Sequence, residues 1–249
     1  MNLAISQLGI KGLLRKCVVW LTVLPVLALS FAQAQQSPDI QLWTGSTLSG
    51  EWHPLVIHTN NGYMIEDKTY NPSGATVFCH DMTVGYDPFI SASVDVVNNT
   101  AVTQFYTFIF TLPISPAIIG GSRIGGSTQG GLTDANFDGT GTLSTTGAGL
   151  SLYNGQIDGV DVLSLFPNLK TINVPFQGGS ASDFTSAGLP GPTIPGPNAL
   201  TSIGIKHTFS LTPGDRATFT SFFVVEVPEP GSLGLLAIGG LVLLFRRRR

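Results

Sequence analysis

In the stretch DANFDGTGTLST, Asp134, Asn136 and Asp138 place side-chain oxygens at alternate positions ahead of Gly139. That spacing reproduces positions 1, 3, 5 and 6 of a calcium loop, where alternate oxygens converge on one hard cation and a glycine permits the bend. The twelfth position is Thr145, where an EF-hand needs a bidentate Glu, and no helical pattern flanks the loop. Asp158 or Asp161, from the stretch DGVD, would then have to supply a distant ligand. The competing assignment is a plain Asp-Gly turn in a polar loop.

Other reactive residue types lack a working arrangement. His53, His58, His80 and His207 are scattered, with no zinc-like spacing among them. Cys79, His80 and Asp81 carry the letters of a thiol catalytic site, but neighbours on a strand point to opposite faces and do not cooperate by adjacency. There is no G-x-S-x-G elbow, phosphate loop or dinucleotide fingerprint. Glu51, Glu66 and several aspartates are available to a glycosidase, which needs two carboxylates at a set separation. Trp43, Trp52 and Tyr63 could stack on sugars, although core or edge packing also explains them. Asn98, Asn99 and Thr100 form a sequon that reads as a strand-end turn.

The elements that must position these residues have an exported, β-rich composition. Of 249 residues, 43% are hydrophobic and only 11% charged, with abundant small polar residues suited to short strands and many turns. The formal charge of -3 hides an asymmetry: from Gln35 to Pro230 five basic residues face fifteen acidic ones, a net of -10. An acidic working domain excludes nucleic acid as a partner, since that needs clustered Lys and Arg. Cys17 lies in the first apolar run, so Cys79 is left without an intramolecular disulfide partner and reads as a buried thiol.

Both ends of the chain read as targeting segments. Lys11, Arg15 and Lys16 precede an apolar stretch from Cys17 to Phe31, and Ala32, Gln33 and Ala34 make a small-x-small processing site. Residues 1–34 are therefore expected to be a signal peptide, handled by the general secretion machinery and cut by signal peptidase after Ala34. At the other end, a helix from Gly231 to Phe245 would reach only about 22 Å, against a hydrocarbon core of ~30 Å. Arg246, Arg247, Arg248 and Arg249 follow it and belong on the cytoplasmic side of a membrane, which leaves the preceding chain outside.

The complete closing stretch, VPEPGSLGLLAIGGLVLLFRRRR, resembles the PEP-CTERM sorting tail of Gram-negative bacteria. Val227, Pro228, Glu229 and Pro230 carry the motif, followed by the short transmembrane helix and the basic end. The resemblance implies that an exosortase is the processing partner, with this protein as substrate. It also implies transient residence in the inner membrane, then delivery to the cell surface or the extracellular space, often in exopolysaccharide-producing, biofilm-forming bacteria. The prolines fit that role by keeping the recognition segment extended.

Between the ends, residues 35–226 predict an extracytoplasmic all-β domain, a β-sandwich of immunoglobulin-like or jelly-roll type. Ile203, Ile205, His207, Phe209 and Leu211 alternate with small or polar residues. Thr212 to Asp215 form a type II turn, and a second strand follows through Phe219, Phe223 and Val225, which predicts a hairpin. A similar pair spans Ser91 to Val97 and Gln104 to Leu112, the latter apolar on both faces and so central. Segments 120–131 and 177–198 are rich in Gly, Ser and Pro, and GLPGPTIPGPN predicts a surface loop. The stretches TFIFTLPI and HTFSLTPGDRATFTSFFVVE are also similar to β-sandwich portions of other PEP-CTERM proteins. The expected role is structural or adhesive and associated with exopolysaccharide, with no cofactor unless calcium binds. The alternative is a secreted hydrolase acting on polysaccharide.

Overall fold

The computed structural model describes residues 37–59, 62–85, 88–145 and 150–227. The expected signal peptide with Ala32 and Ala34, and the tail from Pro228 through Arg249, lie outside the described residues.

In chain order the strands are β1 (Asp39–Thr44), β2 (Thr47–Trp52), β3 (Val56–Thr59), β4 (Gly62–Ile65), β5 (Lys68–Tyr70) and β6 (Ala75–Gly85). Next come β7 (Phe89–Asn98), β8 (Gln104–Pro113), β9 (Ser122–Thr133), β10 (Gly141–Ser144), β11 (Ser151–Ile157) and β12 (Val160–Pro167). The last are β13 (Thr171–Val174), β14 (Ser180–Ala187), β15 (Ile194–Gly196), β16 (Ser202–Leu211) and β17 (Arg216–Glu226). They build two antiparallel sheets and, among the described residues, no helix. The first sheet runs β12-β11-β16-β8-β1-β2, with β10 and β13 attached beside β16. The second runs β14-β9-β17-β7-β6-β4-β3, with β15 on β9 and β5 on β6.

Period two explains why these sheets close on one another. Ile40 and Leu42 of β1, Tyr106, Phe108 and Phe110 of β8, and Ile205, Phe209 and Leu211 of β16 are buried on the first sheet. Val94 and Val96 of β7, and Phe219, Phe223 and Val225 of β17, are buried on the second, and all belong to one apolar core. Phe209 and Phe219 meet across the core at 4.8 Å between ring centroids. Each such fully buried side chain contributes about 1.5–3 kcal/mol, so the shared interior holds the sandwich together.

Strand β8 lies between β16 and β1, the central place expected from its two apolar faces. The expected hairpin is corrected: β16 and β17 are both present, but they lie in different sheets. The turn is of the expected kind, with Gly214 at φ +70 and the Asp215 N–H donating to the Thr212 carbonyl at 3.4 Å. It nevertheless carries the chain across the sandwich as an arch. A hairpin closed at Thr212 and Asp215 would pair Phe209 with Thr218 and Phe219 with Thr208, placing one strand's apolar face beside the other's polar face. The arch turns both apolar faces inward. Strands β7 and β8 likewise belong to different sheets.

Residues 120–131 also depart from expectation, because most of them form β9, which pairs along β17 and β14. Glycine is required there by close approach rather than by a turn: a Cβ at Gly126 would lie 2.8 Å from the Tyr153 hydroxyl and 2.9 Å from Leu163 Cδ2. Residues 188–198 stay at the surface, apart from the short β15 bridge to β9.

Candidate functional site

The expected ligands of the DANFDG loop separate into two groups. Asp134 directly follows β9 and is fully buried, whereas Asn136 and Asp138 are exposed. Asp134 Oδ2 accepts N–H bonds from Gly139 at 2.9 Å and Gly178 at 3.1 Å. Asn136 Nδ2 donates to Asp138 Oδ2 and to the Pro213 carbonyl, both at 2.8 Å, while Asp138 Oδ1 accepts from the Thr140 N–H and hydroxyl. Hydrogen bonds from Thr140 and Asn136 hold the Asp138 carboxyl below its ordinary pKa. Asp138 is thus ionised at neutral pH and serves a local turn.

The bond from Asn136 to Pro213 reaches the β16–β17 arch and brings a residue that sequence reasoning missed. Asp215 is fully buried, and its Oδ2 accepts from the Thr212 hydroxyl. Its pKa is raised, first by burial and then by the charges of Asp134 and Asp138, against opposing bonds from Thr212 and the Ala135 amide. Asn98 holds the same end of the sandwich: its Nδ2 donates to the carbonyls of Val102, Leu211 and Thr212, and its Oδ1 accepts from Thr100 and Tyr106. Asn98, the first residue of the sequon, is therefore a buried strand-end clamp on both arches.

Asp158 and Asp161 do not join this end. Asp158 (φ +51) and Gly159 (φ +77) make the two-residue turn between β11 and β12, of the kind hairpins favour. Desolvation opposes ionisation of Asp158, but N–H groups of Leu200, Thr201 and Ser202 and the Thr201 hydroxyl outweigh it and lower its pKa. Asp161 instead accepts from Gln156 and pairs with Lys206.

The histidines and Cys79 keep to separate environments. Cys79 faces the core, where burial pushes its thiol up to about 12, while His80 faces outward toward Asp95 and Asp67. His207 lies inside the sandwich, stacked on Phe219 at 4.4 Å. Its Nδ1 donates to the Leu152 carbonyl at 3.1 Å, which fixes the tautomer and leaves Nε2 to accept from Ser221 Oγ at 3.0 Å. Thr128 extends this bridge to Ser221 at 2.9 Å. Burial lowers the His207 pKa to about 4, so the ring is neutral and ties the two sheets together.

On the outer face of the first sheet, Asp39, Gln41 and Trp43 project from alternate positions of β1. Gln41 Nε2 donates to Asp39 Oδ2 at 2.9 Å and to Glu51 Oε1 at 3.0 Å, and Trp43 Nε1 donates to Gln41 Oε1 at 3.2 Å. One ligand atom each of Asp39, Glu51 and His53 falls within 4.8 Å of the others. Burial, then repulsion from Glu51, raises the Asp39 pKa. Strand register extends this face through Ile109 and Lys206 to Asn154 and Ser164. Trp52 instead packs on Tyr70 at 4.4 Å, and Tyr63 packs against the core, so these two aromatics serve edge packing.

The sorting residues begin where the folded strands end. Strand β17 finishes at Glu226, and Val227 is 51% exposed. Residues 226–249 match the family model described as the PEP-CTERM protein-sorting motif. The chain carries a PEP-CTERM sorting tail. PEP-CTERM proteins are exosortase substrates, and the motif brings with it export and membrane-linked sorting. No curated protein matches the chain. The PEP-CTERM match is confined to the tail, and β17 leads into it with no intervening linker.

Proposed function

We propose that this PEP-CTERM protein is delivered to the cell surface or extracellular matrix and there binds exopolysaccharide through the outer face of its first sheet. In this reading residues 1–34 are the signal peptide and residues 35–226 the delivered domain. Val227, Pro228, Glu229 and Pro230 present the processing segment to the exosortase, while Arg246 to Arg249 hold the tail's end on the cytoplasmic side. The observation that carries the binding role is the hydrogen-bonded row Asp39, Gln41, Trp43 and Glu51. Such a row offers an aromatic plane beside fixed amide and carboxylate groups, the combination that recognises a sugar's apolar face and its hydroxyls.

The test is retention of the purified chain on the host's exopolysaccharide. Trp43→Ala should weaken retention at least tenfold with no release of reducing ends; undiminished retention by that variant removes the proposal. The proximity of Asp39 to Glu51, and the raised pKa of Asp39, favour a second reading, a polysaccharide hydrolase with Asp39 as acid. Release of reducing ends that Asp39→Asn and Glu51→Gln abolish would establish it in place of the first.

A further inference from the structure

Two carboxylates at one end of the sandwich are buried without a positive charge beside them. Asp134 and Asp215 are both 0% exposed, and Oδ1 of each is buried without a hydrogen-bond partner. In each case Oδ2 fixes the side chain: Asp134 Oδ2 is held by the Gly139 and Gly178 amides, and Asp215 Oδ2 by the Thr212 hydroxyl. The Ala135 amide also bonds the Asp215 carboxyl, so loop and arch are already joined there, while Oδ1 of each residue stays buried without a hydrogen bond.

The 134–140 loop packs directly on the arch: Asn136 Nδ2 donates to the Pro213 carbonyl at 2.8 Å, and a Cβ at Gly214 would lie 2.7 Å from Asn136 Cβ. Among the described residues four of the five basic side chains are engaged elsewhere, Arg216 with Asp95, Lys170 with Asp183, Lys206 with Asp161, and Arg123 with the Thr193 carbonyl, and the fifth, Lys68, is exposed on β5 opposite Cys79 of β6. A group of buried carboxylates without a counter-charge is costly, and a bound cation resolves it. The donors are all oxygen, without His or Cys, which selects a hard ion over zinc or copper.

We propose that Asp134 Oδ1 and Asp215 Oδ1 bind one divalent cation of the calcium class, which ties the 134–140 loop to the 212–215 arch. The chain departs from the EF-hand pattern by taking its second buried carboxylate from a distant arch instead of from the twelfth loop position. Asp138 adds charge at the rim, and Asn136 links loop to arch through the Pro213 carbonyl. This proposal does not depend on the polysaccharide reading, because the outer face of β1 lies on the other sheet's solvent side.

The deciding experiment is calorimetric titration of the purified full chain in detergent with calcium chloride, paired with thermal melting in calcium and in EDTA. One ion per chain is expected, with Tm raised by roughly 5 °C at a hundredfold excess over Kd. Asp134→Asn and Asp215→Asn should each weaken binding at least tenfold and abolish the Tm rise. Both should melt in EDTA no lower than the wild type, because each removes a repelling charge. Glu51→Gln should leave calcium binding unchanged. In the wild type, calcium should slow amide exchange at 134–140 and 212–215, a readout that stands even where a variant does not fold. Failure to bind at about 5 mM, beyond the range of weak extracellular calcium modules, overturns the proposal. So does binding that survives both asparagine variants, or calcium-dependent protection confined to residues outside those two segments.

Discussion

Asp95 and Asp215 are both buried carboxylates served by strands of the second sheet, yet they are balanced in different ways. Asp95 projects from β7 on the outer side, where the Arg216 guanidinium pairs with it and His80 Nε2 approaches at 3.6 Å. Asp215 is the residue just before Arg216, but the alternation of side chains points it inward toward Asp134 while its neighbour points out. The one cation carried by this turn is therefore spent on the outer carboxylate. A buried acid with its own arginine is complete as a structural element, whereas two buried acids without one make a site for something from outside.

Removing the internal cation gives the largest expected effect. Arg216→Met should cost about 3 kcal/mol in urea unfolding, at the low end for a broken buried pair because the guanidinium is half exposed. A loss under ~1 kcal/mol would put Asp95 and Asp215 in the same class and break the contrast.

Acid titration probes buried groups of opposite sign. His207 falls from 6.5 in the unfolded chain to about 4 in the fold, so stability is complete above pH 6.5 and drains as pH falls toward 4, by about 3 kcal/mol in all. Asp215 acts the other way: its folded pKa is raised, so without calcium its penalty is present at neutral pH and fades as acid protonates it. The stability gap between Asp215→Asn and the wild type in EDTA should accordingly shrink on acidification. A gap constant with pH would show that Asp215 carries no charge penalty.

The clamp beneath the arches ranks next. Asn98→Ala strips hydrogen bonds from three carbonyls and the Tyr106 hydroxyl and should cost about 2 kcal/mol by thermal melting, with a diminished calcium response. The smallest effect belongs to an exposed pair: Lys206→Met, which frees Asp161 at the surface, should change stability by about 0.5 kcal/mol or less.

Much of this architecture is legible in the alternation of residues, and the losses are specific. The pattern locates β7, β8 and β16 to within a residue or two and sets β17 on Phe219, Phe223 and Val225, because one buried face imposes period two. Alternation does not by itself say whether the next strand pairs beside its predecessor or faces it. The turn from Thr212 to Asp215 held that information in its parity, since a hairpin of that length would oppose Phe209 to Thr218. Gly126 of β9 looks like loop composition until the bulk of Tyr153 and Leu163 across the interior is known. Asp134 stands out within its loop, whereas Asp215 looks like an ordinary turn residue; only the arch, which brings it beside Asp134, makes the two a pair. The tail was legible because its order is linear and needs no folding to be read.

Strand β17 is hydrogen-bonded to β9 on one side and β7 on the other along nearly its whole length, and it ends at Glu226. Antiparallel ladder bonds run perpendicular to the strand, so a pull applied at Glu226 along the strand axis loads both ladders in shear. Many bonds then resist together, unlike an edge strand peeled away one bond at a time. A pull on the C-terminal end of the domain would therefore meet a strand that resists as a whole.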